Sequence, residues 1–167
     1  MAKRKSKKEN SGNHKHEAKK KYGQNFLEDT ELSDEILDVT EVNEETDVIE
    51  IGPGLGFLTE KLVESAKSLI AFEIDDDLIP VLMKKFGDKE NFTLIHNDFM
   101  EIELEEYLSG KKDIKVVANI PYYITSPIIN KLIEHRDKIS EIYLMVQKPK
   151  NCRCSAKFLH LFLFLQD

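Results

Sequence analysis

Tryptophan is absent from this 167-residue chain, and cysteine occurs only twice, at Cys152 and Cys154. Two cysteines one residue apart cannot staple loops into a framework. That excludes the disulfide-rich secreted class and fits a reducing, cytoplasmic setting. No apolar run approaches the roughly 20 residues that cross a bilayer. The N-terminus is charged with no apolar segment behind it, so neither a membrane span nor a signal peptide is expected. Internal repeats are lacking, as is any low-complexity stretch beyond the N-terminal tail. The length leaves room for one domain with a real core and is too short for two.

Charge is present but divided. Residues 1–21 hold nine Lys/Arg against two Glu, a net +7, whereas 22–167 hold 15 basic and 29 acidic residues, a net −14. The basic head has no apolar periodicity and reads as a disordered tail. As a tail it aids solubility. As an arm, its Lys3, Arg4, Lys5, Lys7, Lys8 and Lys19 to Lys21 could release counterions from RNA phosphates. The acidic body repels nucleic acid as a whole, so RNA affinity would have to come from local basic patches, the tail or a piece outside this sequence.

Behind the tail, the pattern alternates. A helix is expected over 31–39, with Leu32, Ile36 and Val39 on one face. Strands are expected at 47–51, 68–74, 92–95, 115–118 and 141–146, and helices at 57–65, 77–86 and from 126, where Pro127 takes the first helical position. Mostly apolar, β-branched strands alternating with helices specify an α/β fold with a doubly wound parallel sheet. Ligands of such sheets bind outside the carboxyl ends of the strands.

The motifs fall at those ends. The first strand runs into Gly52-Pro53-Gly54-Leu55-Gly56, where glycines allow a sharp turn and close approach to a ligand. The spacing is G-x-G-x-G, not the dinucleotide G-x-G-x-x-G, and Pro53 removes an amide that could bind pyrophosphate. Glu73, ending the second strand, can accept from both ribose hydroxyls. Asp98, after the third, can accept from an adenine amino group. Each has a purely structural reading as a turn glycine, a surface acid or a cap. Together, in strand order, they suit S-adenosylmethionine, a cofactor with sulfonium and ammonium charges and no phosphate.

Asn119-Ile120-Pro121-Tyr122 closes the fourth strand. An amine on an aromatic ring is a poor nucleophile because its lone pair is delocalised. The Asn119 side-chain carbonyl and a neighbouring backbone carbonyl can hold its N–H bonds and draw the nitrogen toward tetrahedral geometry. Pro121 stiffens the turn, and Tyr122 offers a flat face for a base. The structural reading of the tetrapeptide is a Pro-terminated strand followed by a helix cap.

With GQNFL, EIGPGLG, FEID, ND and NIPYYITSP in that order, the chain from about Lys20 to Lys148 resembles the ribosomal RNA adenine N6,N6-dimethyltransferases. Within that group it is most similar to the bacterial small-subunit branch. The resemblance implies a Rossmann-like S-adenosylmethionine-dependent methyltransferase fold and dimethylation of adenine N6 in small-subunit ribosomal RNA during ribosome biogenesis. It implies that Asn25 and Leu27 frame the methionine end of the cofactor and Gly52 lines the turn. Glu73 would hold the ribose, Asp98 the adenine, and Asn119 would sit between cofactor and target base, with Tyr122 stacked on that base. Phe26 is a candidate lid aromatic, with core packing an equal alternative. Asn25 and Leu27 rest on the resemblance alone.

The likeness stops near Pro149. The family continues with further strands and a helical RNA-binding domain, whereas here 149–167 is an apolar segment of another character. A frame change or truncation is expected there, with the sheet ending after its fifth strand. Residues 158–165 suit neither a solvent-facing helix nor a finished edge strand. The expected organisation is a tail at 1–21, an incomplete methyltransferase domain at 22–148 and an aberrant segment at 149–167. Cys152, Cys154 and His160 make too few and too irregular a ligand set for structural zinc, so no metal is expected. Competing readings are a large-subunit RNA methyltransferase and a relative that binds cofactor or RNA without transferring methyl groups. A nicotinamide dehydrogenase ranks last.

Overall fold

The computed structural model describes residues 30–147 and 158–165. Elements alternate as α1 (Thr30–Thr40), β1 (Asp47–Ile51), α2 (Phe57–Ser65), β2 (Ser68–Glu73), α3 (Ile79–Phe86), β3 (Phe92–His96), α4 (Glu105–Leu108), β4 (Ile114–Ile120), α5 (Thr125–Ile133), β5 (Ile139–Gln147) and β6 (Phe158–Phe164). They build one six-stranded sheet in the order β3-β2-β1-β4-β5-β6. β1 to β5 are parallel neighbours and β6 runs antiparallel to β5. The order reverses between β1 and β4, which opens a crevice at their carboxyl ends.

Period-two alternation sends strand residues to two cores. Ile49, Ile51, Phe72, Val116, Ala118, Ile120, Ile142 and Leu144 face one side with Leu104, Leu108, Ile128 and Leu132. Val48, Leu69, Val117, Tyr143 and Met145 face the other, under Ile36, Leu58, Leu62, Leu82 and Phe86. Burial on both faces is what a parallel sheet requires, and it explains why β1 is buried along its whole length.

At the amino ends of the strands, buried charge is paired. Lys111 donates to Asp47 at 2.6 Å and to the Ser68 hydroxyl at 2.7 Å, and Lys67 lies 3.6 Å from Asp47. Lys115 donates to the Thr40 carbonyl at 2.7 Å and lies 3.3 Å from Glu141.

The structure departs from the sequence expectation at three places. Val39 is half exposed, and Thr40 is the buried residue four positions after Ile36. The Thr40 hydroxyl is satisfied by the Leu37 carbonyl at 3.1 Å, so a polar residue takes the place expected of an apolar one. The sheet does not end at five strands: Phe158–Phe164 pairs along β5, with Tyr143 opposite Phe162. Unpaired backbone groups on β5 make a template for such pairing, which a strand of apolar residues meets readily. The short α4 was not expected. The basic tail, Asn25, Phe26, Leu27, Cys152 and Cys154 lie outside the described residues.

Gly56 caps the start of α2 with φ +82°, and a Cβ there would lie 2.6 Å from Phe86 Cε2 and 3.1 Å from Leu82 Cδ2. Phe86 is buried and packs edge-on against Phe92, with centroids 5.6 Å apart. Gly56→Ala should therefore destabilise the fold by about 2–4 kcal/mol, from left-handed strain plus overpacking. Gly110, at φ +74° with nothing within 4 Å, isolates the strain: Gly110→Ala should lose only about 1–2 kcal/mol. Urea unfolding of the two variants measures the difference, and equal losses would contradict the packing argument.

Candidate active site

Strand register lines up the candidate residues. Ile51 is opposite both Phe72 and Ala118, so one residue further Gly52 stands between Glu73 and Asn119. All three belong to the sheet face covered by α1, α2 and α3. A Cβ on Gly52 would lie 3.6 Å from the Asn119 carbonyl, in ordinary contact; the positive φ of +72° is what calls for glycine. Gly54, at φ +62°, and Gly56 complete the turn. Its geometry is held by hydrogen bonds from the Gly52 amide to Phe72 O at 2.9 Å and from the Gly56 amide to Pro53 O at 3.0 Å.

Glu73 is almost fully buried. Its Oε1 accepts from the Ile74 and Asp75 amides, both at 2.9 Å, and its Oε2 from the Gly54 amide at 3.1 Å. A carboxylate has about four lone-pair sites, so roughly one remains for a ligand. Glu73 thus also tethers the glycine turn to β2, a role that the sequence did not reveal. Burial pushes its carboxyl up. The amides of Asp75, Gly54 and Ile74 oppose the rise, and the Asp75 charge adds to it.

One alternation below Gly52 on the same face, Glu50 is 2% exposed and accepts from the Thr59 hydroxyl at 2.8 Å. Burial, opposed by that hydrogen bond and aided by the Glu73 charge, pushes its carboxyl up to about 8. Sequence reasoning passed over Glu50 as a strand residue; its two-residue spacing from Gly52 was the available signal. Among the described residues no Lys, Arg or His pairs with Glu50 or Glu73. Buried acids without a counter-charge suit a cationic ligand, in contrast with the paired Asp47 at the opposite end of the sheet.

Asn119 lies in the last turn of β4, opposite Met145. Its Oδ1 is the buried side-chain polar atom that lacks a hydrogen-bond partner among the described residues. Beyond it the chain makes a 3-10 turn at Tyr122–Ile124, leaving Tyr122 and Tyr123 64% and 67% exposed. The Pro121 carbonyl is already taken by the Ile124 amide and the Thr125 hydroxyl, each at 3.2 Å. It holds the turn and is a poor choice for the second acceptor of an amine. Asp98 is partly buried, and its Oδ1 accepts from the Met100 amide at 2.8 Å. No helix begins at Asp98, so it caps a tight turn rather than a helix, and that turn takes one of its oxygens.

Glu50 makes stability depend on pH. Its folded pKa, about 8, exceeds the ordinary 4.5. In that window the folded state binds a proton that the unfolded state has released, so the contribution is complete below 4.5 and lost as pH rises through 8. Glu50→Gln keeps an acceptor for Thr59 and removes the titration. Urea midpoints measured across this window should fall more steeply for the wild type than for the variant. Parallel curves would contradict the burial of an unpaired acid.

The match to known proteins is extensive. The family model for ribosomal RNA adenine dimethylase covers residues 15–159. A small-subunit ribosomal RNA methyltransferase A from Fusobacterium nucleatum is 51% identical over 140 residues, covering 83% of this chain and 52% of that protein. Among solved structures, the 23S rRNA methyltransferase ErmE superposes with a TM-score of 0.65 at 30% identity, over 74% of this chain and 48% of ErmE. A dimethyladenosine transferase from Plasmodium falciparum gives 0.64 at 33% identity, over 74% and 44% of the two chains. The chain spans about half the length of the curated relatives it matches. By the extent of the family match and the identity to its relatives, the chain belongs to the ribosomal RNA adenine dimethylase family.

Proposed function

We propose that residues 22–148 form a methyltransferase domain that uses S-adenosylmethionine to methylate, and by repetition dimethylate, adenine N6 in small-subunit ribosomal RNA. The observation that carries this reading is the Asn119 Oδ1, an acceptor buried without a partner among the described residues, on the residue next to Gly52 in the strand register and three before the exposed Tyr122. A buried acceptor left unsatisfied costs about 1–3 kcal/mol. An adenine amino group supplies the missing donor.

The residues fit the cofactor by their chemistry. Glu50 and Glu73 are buried acids that a cationic ligand would draw toward their ionised forms, and the remaining Glu73 acceptor suits a ribose hydroxyl. The free oxygen of Asp98 suits the adenine amino group, and Asn25 and Leu27 are assigned the methionine end. When bound, S-adenosylmethionine supplies an electrophilic methyl group. Asn119 Oδ1 then accepts an N–H of the target amine, which restores lone-pair density to nitrogen. Tyr122 stacks on the base and holds the amine in line. The lone pair would form the N–C bond as the methyl–sulfur bond breaks and S-adenosylhomocysteine leaves, and the alkylated nitrogen, then strongly acidic, would release its proton to solvent. No side-chain base is needed, and fixed positioning, with water kept from the reacting atoms until the transfer is complete, provides most of the rate.

Large-subunit RNA is the runner-up substrate. The higher identity to the Fusobacterium small-subunit enzyme than to ErmE favours the small subunit.

Asn119→Ala should lower methyl transfer to undermethylated small subunits by about 10²-fold or more, with cofactor affinity changed little. Normal turnover by this variant would refute the mechanism. Glu73→Gln should weaken S-adenosylhomocysteine binding by about 1.5–3 kcal/mol, the scale of a hydrogen bond to a charged group. Calorimetry reads this directly, and unchanged affinity would remove Glu73 from the ribose site.

A further inference from the structure

Lys131, on α5, is spent on backbone. Its ammonium donates to the carbonyls of Phe99 at 2.8 Å, Met100 at 3.1 Å and Ile102 at 2.5 Å. An ammonium has three N–H donors, and all three are used. The charge also lies 5.4 Å from the centroid of the Phe99 ring. Three carbonyls turned toward one point repel each other without a cation between them, so the loop depends on this side chain for its shape.

That loop carries Asp98. The Asp98 side chain accepts from the Met100 amide and its carbonyl from the Glu101 amide, at 2.8 and 2.9 Å. Phe99, next in sequence, sets its ring edge-on against Phe72 at 5.3 Å, and Phe72 directly precedes Glu73. The carbonyls that Lys131 holds therefore flank the amide that orients Asp98, and the Phe99 ring ties the same loop to β2. Lys131 itself comes from the helix that follows the Asn119–Tyr122 turn.

We propose that Lys131 is a positioning residue for cofactor recognition: by clamping the Phe99, Met100 and Ile102 carbonyls it holds the Asp98 carboxylate where it reads the amino group of the cofactor's adenine. This rests on the proposed function, in which Asp98 accepts from that amino group. A role in folding alone would lower stability without altering which purine the site prefers.

The test is calorimetry on the whole chain with S-adenosylhomocysteine and with its 6-oxo analogue, S-inosylhomocysteine. The wild type should prefer the amino form, and Asp98→Asn should lose that preference. If the wild type shows no preference, the Asp98 reading itself falls, a failure distinct from that of Lys131. Lys131→Met keeps the aliphatic stem and removes the donors. It should bind S-adenosylhomocysteine about tenfold more weakly, the scale of one such hydrogen bond, and discriminate as poorly as Asp98→Asn. Lys131→Arg, which keeps charge and donors, should recover part of the preference. A folded Lys131→Met with wild-type discrimination would overturn the inference. Should that variant not fold, Lys131→Gln, with two donors in place of three, serves the same comparison: reduced preference supports the role and full preference overturns it.

Discussion

A side-chain oxygen buried with no donor among the described residues, at the point where the strand order reverses, is the constraint around which this edge of the sheet is organised. The Asn119 amide sits in the register row of Gly52 and Glu73 because β1, β2 and β4 are parallel and unstaggered at their carboxyl ends. Gly52, next to it in that row, takes the left-handed conformation with which the turn begins. The Pro121 carbonyl, occupied by two donors, fixes the turn that presents Tyr122. Remove the register and these residues are an ordinary turn, an acid and an amide.

The two ends of the sheet treat charge in opposite ways. At the amino ends, Asp47 has Lys111 and Lys67, the usual fate of a buried carboxylate. At the carboxyl ends, Glu50 and Glu73 share one corner with hydroxyl and amide donors only. Burial without a cation raises both, helped for Glu50 by the Glu73 charge and for Glu73 by the Asp75 charge. That penalty makes sense for a site whose ligand brings its own positive charge.

Much of this could be read from the residues. Short β-branched strands ending in a glycine turn, an acid and the Asn-Ile-Pro-Tyr stretch specified five parallel strands and the edge on which these candidate residues gather. Other features could not be read, for physical reasons. Thr40 replaces Val39 in the core because a hydroxyl bonded to its own helix is satisfied when buried, and propensity does not see that bond. The pairing of Phe158–Phe164 depends on an open β5 edge, a tertiary fact. Glu50 looks like any strand acid until the alternation is referred to Gly52. The clamp by Lys131 leaves no trace in sequence, since its three partners are backbone carbonyls.

A crystal structure of the chain with S-adenosylhomocysteine tests the central claim most directly. The account predicts the sulfur lodged between Gly52 and Asn119, a ribose hydroxyl on Glu73, the adenine amino group on Asp98, and Asn119 Oδ1 still open toward Tyr122. Ligand bound elsewhere, or Asn119 Oδ1 accepting from a donor of the protein itself, would contradict it.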